Sequence, residues 1–358
     1  MSEKVLMKGN DAIAEAAIRA GCGAYFGYPI TPQNEIPAYM ARHMLDRGRI
    51  FIQAESEIAA IIMVYGASCA GMRAMTSSSS PGISLKQEGM SYAAGADVPL
   101  VLVNVQRGGP GLGNIAPAQS DYFQSTRGGG HGDYKCIVLA PKSVQEAADL
   151  TYLAFDLADK YRMPVIIHAD GMIGQMMEGC VLPPEKEAPI RSWTAGGCAD
   201  RPDKKAIHIT SIDLVPESLE AKTKERFVRY ETIKKEELRF EKTNCEDADL
   251  LMVAYGTCAR VCLGARKLAE KEGIKLGIFR PISLWPFPYE ALGKISMYLS
   301  DHVPLLTVEM SEGQLIEDVK LSAYYAESKS AVHLLGRSGG IIPTEEEVFL
   351  KAKEILKK

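Results

Sequence analysis

The sequence has 358 residues, 46% of them hydrophobic and 24% charged, which is typical of globular proteins. This length exceeds what one hydrophobic core usually organises, so it favours two domains. The 41 Lys and Arg residues nearly balance the 45 Asp and Glu residues, and no run of like charge could form a nucleic-acid or membrane surface. We therefore expect neither nucleic acid nor membrane as a partner.

The longest uncharged apolar stretch, Ile58 to Met72, contains glycines and is shorter than the roughly 18 to 20 residues that span a bilayer. We interpret it as a buried helix. The first residues include acidic side chains where an export signal needs an apolar core. The eight cysteines have neither the spacing of a disulfide framework nor a C-x-x-C pair. These features predict a cytoplasmic protein that holds no iron–sulfur or zinc site itself.

The first part of the chain alternates between helical and strand-like patterns, which is typical of an α/β domain. The run at 99–106 is continuously apolar, as in a parallel strand covered on both faces. We place this domain at residues 1–180. In chain order, the predicted elements are a helix from residue 8, a strand at 24–29, a helix at 33–46, a strand at 49–54, a helix at 56–71, a strand at 73–79, a helix from 81, strands at 99–106 and 135–141, a helix at 144–160 and a strand at 163–170.

The second part of the chain begins with a loss of the strand pattern. Residues 181–246 have little strand signal, and we interpret them as a linker with an exposed, charged helix near 218–242. Residues 247–358 predict a second α/β unit. Its predicted elements are strands at 249–257, 275–281, 304–310 and 331–336, helices at 258–273, 289–297 and 314–326, and a proline-broken turn at 281–288. The expected fold class is thus two three-layer α/β domains.

The segment YPITP, from Tyr28 to Pro32, follows a predicted strand and precedes a predicted helix. Loops at the carboxyl ends of parallel strands are where α/β sheets bind ligands. A helix start with Thr31 as N-cap and Pro32 in the first helical position accounts for the same residues without a ligand. The spacing leaves both interpretations open.

Glu57 precedes a predicted helix that has no polar face, so its carboxyl group is expected at the edge of the interior. Burial raises the pKa of such a group, whereas a helix N-terminus lowers it. A first-turn acid with Ser56 as the helix cap is the structural alternative. Glu55, two residues earlier, is expected to point the other way.

Arg107 directly follows the predicted buried strand and precedes two glycines. A guanidinium at the carboxyl end of a central strand can bind a planar carboxylate through two hydrogen bonds. The structural alternative is a salt bridge within the protein.

The glycine-rich segments suggest sites that we reject. Gly111-x-Gly113-x-x-Ala116 imitates a dinucleotide fingerprint, but no helical pattern follows it and no acidic residue ends a second strand at the required distance. The loop at 128–132 could offer backbone N–H groups to an anion, although glycine runs are commonly just flexible. His131 and Asp133 have no further partners at metal-ligand spacing.

Four segments together closely resemble the α subunit of the 2-oxoacid:ferredoxin oxidoreductases: GNDAIAEAAIRAGCGAYFGYPITPQNEI, AESEIAAIIMVYGASCAGMRAMTSSSSPG, VNVQRGGPGLGN and VEMSEGQL. The resemblance covers nearly the whole chain. It implies a thiamine diphosphate enzyme that decarboxylates a 2-oxoacid, passes electrons through iron–sulfur clusters to ferredoxin and transfers the acyl group to coenzyme A. Residues 1–180 would be the pyrimidine-binding domain, and residues 247–358 the transketolase C-terminal-like domain.

The resemblance also assigns roles to particular residues. Glu57 matches the catalytic glutamate that hydrogen-bonds the aminopyrimidine ring of the cofactor, where a raised pKa would help it to protonate that ring. Thr31 and Arg107 match residues near the bound 2-oxoacid, and Arg107 would hold its carboxylate. The implied cofactor-binding residues are Tyr28, Pro29, Ile30 and Glu57.

Two absences imply partner subunits. The family holds the diphosphate through Mg²⁺ on a GDG motif followed by paired asparagines, but Asp170-Gly171 lacks the preceding glycine and the five asparagines are isolated. The cysteine clusters for electron transfer are also missing. We expect a β subunit that binds the diphosphate and Mg²⁺, and a γ subunit and a small ferredoxin-like subunit for the iron–sulfur clusters. The expected assembly is a dimer of heteromers that uses ferredoxin, coenzyme A and a 2-oxoacid.

The segment GLGNIAPAQSDY is more similar to the branched-chain (2-oxoisovalerate) members than to the 2-oxoglutarate members, in which a sequence nearer STGLPTK is expected. A 2-oxoglutarate- or pyruvate-type member is the alternative within the family. A self-sufficient nucleotide-binding protein and a purely structural subunit are the alternatives outside it.

Overall fold

A computed structural model of the chain describes residues 4–195, 205–298 and 303–357. Within these ranges, two large sheets and one two-stranded ribbon form. The elements of the first part, in chain order, are β1 (Val5–Lys8), α1 (Gly9–Arg19), β2 (Ala24–Gly27), α2 (Glu35–His43), a 3-10 turn (Leu45–Arg47), β3 (Ile50–Gln53), α3 (Glu57–Cys69), β4 (Ala74–Ser78), α4 (Ser80–Gly95), β5 (Leu100–Gln106), α5 (Tyr122–Arg127), β6 (Ile137–Leu139), α6 (Val144–Tyr161), β7 (Pro164–Asp170), α7 (Gly171–Gln175) and β8 (Met177–Cys180).

The second part supplies one further sheet and the long charged helix. Residues 196–204 of the predicted linker, including Cys198, lie outside the described residues. The elements, in chain order, are α8 (Pro216–Glu236), β9 (Phe240–Thr243), β10 (Leu250–Val253), α9 (Gly256–Glu270), β11 (Leu276–Pro281), β12 (Ser283–Trp285), α10 (Tyr289–Tyr298), β13 (Leu305–Glu309), α11 (Leu315–Tyr325), β14 (Val332–Gly336) and α12 (Glu345–Leu356).

The larger sheet has the order β12-β6-β7-β5-β4-β2-β3, and its strands from β2 to β7 are parallel. Every residue of β5 is buried, which confirms the prediction of a strand covered on both faces. The helices α3, α4 and α6 pack against this sheet. Because the strands are parallel, the loops after β2, β4 and β5 meet at one edge.

The second sheet has the order β14-β13-β10-β11-β9. Its four parallel strands are those that the sequence predicts. The prediction of a helix as far as residue 242 is wrong, because α8 ends at Glu236 and Phe240–Thr243 pairs antiparallel with β11 as β9. The charged residues of β9 continue the charged pattern of the preceding helix, which is why the sequence predicts a longer helix. In the structure, Glu241 instead bonds Arg280 of the neighbouring strand. The sequence analysis also gives no element for α12, although Thr344 and Glu347 form a capping box there.

Two other short strands also differ from the sequence predictions. The segment predicted as a proline-broken turn contains β12, which pairs antiparallel with β6 and so joins the second part of the chain to the larger sheet. β1 pairs antiparallel with β8, about 170 residues away in sequence. Hydrophobic periodicity is a local signal, so it cannot reveal pairings between four-residue segments so far apart.

The helix predicted to be buried between Ile58 and Met72 is only half covered. In α3, Ile61 and Val64 lie in the core, whereas Ile58 is 52% exposed and Ile62 is 43% exposed. These two isoleucines are four residues apart and therefore lie on the same face of the helix. Among the described residues, no helix is both long enough and apolar enough to cross a membrane.

Candidate active site

The candidate residues follow three parallel strands of the larger sheet, β2, β3 and β5. Thr31 lies in the loop after β2, and Arg107 directly follows β5. Glu57 begins α3, four residues after β3 ends. β4 lies between β2 and β5, and its last residue, Ser78, precedes the start of α4. The parallel arrangement gathers these segments at the carboxyl edge of the sheet, where α/β folds bind ligands.

Arg107 is 6% exposed and is held by backbone carbonyls rather than by acids. Its Nη1 donates to the carbonyl of Thr31 at 3.0 Å, and its Nη2 donates to the carbonyl of Leu112 at 2.8 Å. Its Nε is buried without a hydrogen-bond partner. Across the described ranges, no carboxylate pairs with this guanidinium, so the alternative of an internal salt bridge is wrong. A buried cation without a counter-charge is suited to bind an anion.

The loop that holds Thr31 is not a helix start. α2 begins at Glu35 with Asn34 at its N-cap position, so the interpretation of Thr31 as N-cap is wrong. The hydroxyl of Thr31 accepts a hydrogen bond from the Asn34 side chain at 3.2 Å. The other predicted residues of this loop are open to solvent to different degrees. Tyr28 and Pro29 are exposed, and Ile30 is half-buried.

Glu57 is 6% exposed although it begins a helix at the surface of the domain. The hydroxyl of Ser56 accepts a hydrogen bond from the Ala59 amide at 3.2 Å, so Ser56 is the predicted cap. The Glu57 carboxylate lies against Gly82 of α4: a Cβ at Gly82 would lie 2.8 Å from Glu57 Cγ and would overlap Oε1. Glu55 is exposed, as predicted. Because Gly82 has no side chain, the Glu57 carboxylate can occupy this space.

The turn between β4 and α4 connects the surroundings of Glu57 and Arg107. The Cβ-free space at Gly82 borders both Glu57 and Ser78. Two residues after Ser78, the hydroxyl of Ser80 accepts a hydrogen bond from the Arg107 amide at 3.1 Å. Glu57 thus borders this strand-to-helix junction with its side chain, and Arg107 contacts it through its backbone.

Asp121 is a half-buried acid near this junction that is not among the predicted site residues. Its Oδ2 accepts hydrogen bonds from the Ser80 hydroxyl at 2.6 Å and from the Asn104 amide at 2.9 Å. Burial raises the pKa of its carboxyl group. Asp121 and Ser80 line a cleft of about 640 Å³ that also borders residues 109–111 and 310–312. The cleft therefore opens beside the end of β5 and between the two parts of the chain.

Lys86 is a second functional candidate that the sequence analysis missed. Leu85 of α4 is 48% exposed, whereas its neighbour Lys86 is completely buried. Its Nζ donates to the hydroxyl of Thr76 at 3.0 Å and to the backbone carbonyl of Glu57 at 3.3 Å. A signal was present, because Lys86 shares the 3–4 residue spacing of the buried Ile83 and Met90.

The glycine-rich segments form loops in the structure. The first helix after Gly113 begins only at Tyr122, so the arrangement of a dinucleotide fingerprint is not present there. Gly129 packs against Gln87 of α4. In the ranges that the structure describes, no three His, Cys, Asp or Glu side chains are grouped so that they could hold a metal ion.

Comparison with known proteins identifies the family. The family described as "Pyruvate flavodoxin/ferredoxin oxidoreductase, thiamine diP-bdg" matches residues 15–238, and "Pyruvate:ferredoxin oxidoreductase core domain II" matches residues 248–348. The ketoisovalerate oxidoreductase subunit VorB of Methanothermobacter marburgensis is 47% identical over 98% of this chain and 97% of its own length. The chain belongs to the thiamine diphosphate-dependent 2-oxoacid:ferredoxin oxidoreductases.

Within this family, the chain is more similar to the ketoisovalerate subunit than to the 2-oxoglutarate subunits. The 2-oxoglutarate synthase subunit KorA of Methanothermobacter thermautotrophicus is 36% identical over 98% of both chains. The prediction that this oxidoreductase subunit most resembles the branched-chain type is therefore confirmed.

Solved structures agree with the predicted fold class. A 2-oxoglutarate:ferredoxin oxidoreductase from Magnetococcus marinus, with 2-oxoglutarate, coenzyme A and succinyl-CoA bound, matches with a TM-score of 0.86 and 28% identity. The match covers 99% of this chain and 66% of that chain. A split gene transketolase matches with a TM-score of 0.58 and 13% identity over 98% of both chains, and this likeness concerns the fold alone. The prediction of two α/β domains is confirmed.

Proposed function

We propose that this subunit holds the aminopyrimidine half of thiamine diphosphate and the carboxylate of a branched-chain 2-oxoacid. The complete enzyme would decarboxylate the acid oxidatively, form acyl-CoA and CO₂, and pass the electrons to ferredoxin. The observation that carries the proposal is the buried Arg107, which has no acidic partner among the described residues and lies at the same sheet edge as the buried Glu57. Membership of the family restricts the reaction to thiamine diphosphate-dependent chemistry on a 2-oxoacid. Glu57 provides the acid and Arg107 the cation that this chemistry requires.

Glu57 fits a role in binding the aminopyrimidine ring. Its carboxylate is buried against Gly82, in a space that a Cβ would fill, so it is held in one place before the cofactor arrives. Such a carboxyl group can exchange a proton with a ring nitrogen in a water-poor pocket. Thiamine diphosphate, when bound, supplies a thiazolium that stabilises the electron pair left by the departing CO₂. Tyr28, Pro29 and Ile30 are proposed to border the cofactor from the loop after β2.

Arg107 is proposed to bind and orient the substrate carboxylate. The carbonyls of Thr31 and Leu112 hold two of its nitrogens, and the unpartnered Nε remains for an anion. The negative charge of the substrate compensates the guanidinium only until CO₂ leaves. Arg107 therefore contributes to binding and orienting the acid, so its loss should appear mainly in KM.

The surface around Glu57 supports a site that is completed by another subunit. Ile58 and Ile62 of α3 are exposed next to Glu57, and Ile52 of β3 is 42% exposed. Large exposed apolar side chains near a buried acid indicate an interaction surface. A β subunit that carries the diphosphate and Mg²⁺ is the proposed occupant. The γ subunit, the ferredoxin-like subunit with its iron–sulfur clusters and the dimer of heteromers stay predictions, as do the domain limits 1–180, 181–246 and 247–358.

The substrate is proposed to be 2-oxoisovalerate, because the relative named for ketoisovalerate is more similar than the relatives named for 2-oxoglutarate. The test uses the complex purified from its source with all copurifying chains. The complex is assayed with 2-oxoisovalerate, pyruvate and 2-oxoglutarate, coenzyme A and a low-potential electron acceptor. We expect the highest kcat/KM with 2-oxoisovalerate. A higher value with 2-oxoglutarate or pyruvate would contradict the substrate assignment but not the site.

Calorimetry of the isolated chain separates the proposal from a self-sufficient nucleotide-binding protein. The chain is titrated with NAD, with ATP and with thiamine diphosphate plus Mg²⁺. A half-site predicts negligible binding of all three. Tight binding of NAD or ATP would favour the nucleotide-binding alternative.

A further inference from the structure

The side chain of Lys86 is completely buried in α4, yet no carboxylate forms an ion pair with it among the described residues. Its two hydrogen-bond acceptors, the Thr76 hydroxyl and the Glu57 carbonyl, are neutral. Burying an ammonium ion among neutral groups is costly, and a methionine or leucine would fill a helix interior without that cost. Its position therefore needs a reason other than packing.

Glu57 is the charged group that acts on Lys86. Burial lowers the pKa of Lys86 to about 7, and the Glu57 charge opposes this shift. The other packed strands offer no competing partner: β4 and β5 have no titratable side chain. On β7, His168 bonds Ser125, and Asp170 bonds Thr257. Glu57 is thus the acid whose charge acts on Lys86.

We propose that Lys86 is a positioning residue for Glu57: by bonding the Glu57 carbonyl and the Thr76 hydroxyl, it fixes the first turn of α3 and so the place of the Glu57 side chain. The inference rests on the proposed role of Glu57 at the cofactor ring. When Lys86 is protonated, its ammonium donates charge-assisted hydrogen bonds to both acceptors and holds this turn. When Lys86 is neutral, these bonds are weaker and the Glu57 side chain is held less firmly. Lys86 touches neither substrate nor cofactor in this account, and it acts through Glu57 alone.

The test compares the wild-type complex with Lys86→Met and Lys86→Gln. Methionine preserves length and removes charge, and glutamine preserves a hydrogen-bond donor without charge. Two quantities are measured between about pH 6 and pH 9, a window centred on a group that titrates near 7: kcat/KM, and the dissociation constant of thiamine diphosphate in the cofactor-depleted complex. Lys224→Met is the control, because Lys224 is an exposed residue of α8 paired with Glu220.

We expect wild type and Lys224→Met to show an ionisation near pH 7 in both profiles, with the dissociation constant changing about three- to tenfold across it. Both Lys86 variants should lack this ionisation. Profiles of either Lys86 variant that coincide with wild type would overturn the inference, even if the other variant fails to assemble. Glu57→Gln separates this failure from that of the proposed function. If the Glu57→Gln complex is inactive and the pH profiles of the Lys86 variants equal those of wild type, only the role of Lys86 is refuted. If the Glu57→Gln complex is active, the proposed function itself is refuted.

Discussion

Arg107 Nη1 donates a hydrogen bond of 3.0 Å to the carbonyl oxygen of Thr31, which joins the carboxyl ends of β5 and β2. These two residues are 76 positions apart in the chain, and the family resemblance places both near the bound 2-oxoacid. Their contact uses the backbone of Thr31, so it does not depend on the threonine side chain. The guanidinium is therefore oriented by main-chain atoms, which leaves its charge available to an anion.

Replacing Arg107 by alanine should weaken substrate binding. A charge-assisted hydrogen bond contributes about 1.5 to 3 kcal/mol, so KM for the 2-oxoacid should rise by about 10- to 150-fold. The dissociation constant of thiamine diphosphate should change little. Steady-state kinetics and cofactor titration of the variant complex measure both values.

Arg42→Ala is the matched control for that measurement, because Arg42 lies exposed on α2 and bonds the carbonyl of Ala38 in its own helix. Its KM should equal that of wild type. An Arg107→Ala complex with unaltered KM would remove Arg107 from the substrate site.

Adding a methyl group at Gly82 should disturb the Glu57 carboxylate. A Cβ there overlaps Glu57 Oε1 and Ser78 Oγ, so Gly82→Ala must displace one of them. We expect kcat to fall by about tenfold or more, because a catalytic group that is misplaced by about 1 Å loses up to 100-fold in rate. The measurement is kcat of the variant complex at saturating substrate and cofactor.

Gly66→Ala is the matching change in α3, where no atom lies within 4 Å of a Cβ. Because alanine is the better helix former, this variant should gain about 0.5 to 1 kcal/mol in unfolding free energy and keep its kcat. Equal activity of both glycine variants would argue against a fixed position for the Glu57 carboxylate.

Lys86 should make the stability of the isolated chain depend on pH. Its pKa falls from the usual 10.5 to about 7 on burial, so the unfolded chain binds one more proton than the folded chain between these values. Stability rises with pH wherever the unfolded state binds more protons, and it is lost as pH falls through 7. Relative to Lys86→Met, the unfolding free energy of wild type should increase by about 1.4 kcal/mol per pH unit in this window.

Urea unfolding of the two proteins at several pH values measures this difference, in which the titration of other groups cancels. A difference that stays constant from about pH 7 to 10 would mean that Lys86 is protonated in the folded chain.

Asp170 and Thr257 link the end of β7 to the start of α9 and so join the two parts of the chain. Asp170 Oδ1 accepts from the Thr257 hydroxyl at 2.6 Å, and its Oδ2 accepts from the Thr257 amide at 3.0 Å. Thr257→Val removes the hydrogen bond from the hydroxyl and keeps the shape of the side chain. We expect a loss of about 1 to 3 kcal/mol in unfolding free energy.

Thr223→Val serves as its control, because the exposed Thr223 hydroxyl bonds only its own helix at Leu219. Thermal unfolding of both variants gives the comparison. A loss no larger for Thr257→Val than for Thr223→Val would show that the Asp170 link contributes little.

The sequence predicts those features of the fold that leave a local pattern. The apolar run of β5 and the alternation of strands with helices identify the parallel sheets, because burial on both faces requires such residues. β12 and the β1–β8 ribbon are not predicted, since their pairings depend on residues far away in the chain. β9 is not predicted because its charged residues resemble a helix surface, whereas Glu241 pairs with Arg280 of the neighbouring strand.

The sequence also predicts only part of the candidate site. The site residues Glu57, Thr31 and Arg107 follow the carboxyl ends of strands. Ligands bind at these ends in α/β folds, so the position can be recognised without knowledge of the packing. Lys86 was missed because a lysine in an amphipathic helix is normally exposed, and only the tertiary packing of α3 on α4 reveals its burial. A charged residue on an otherwise apolar helical stripe is the signal that would have found it.

The most direct test of the account is the 2-oxoacid decarboxylation rate of the complete complex that carries Glu57→Gln. Glutamine has the same shape but cannot hold or release the proton that the carboxyl group exchanges with the cofactor ring. We predict normal assembly and a rate at least about 100-fold below wild type, as expected for the loss of an acid–base group. A correctly assembled Glu57→Gln complex that decarboxylates 2-oxoacids at the wild-type rate would contradict the central claim.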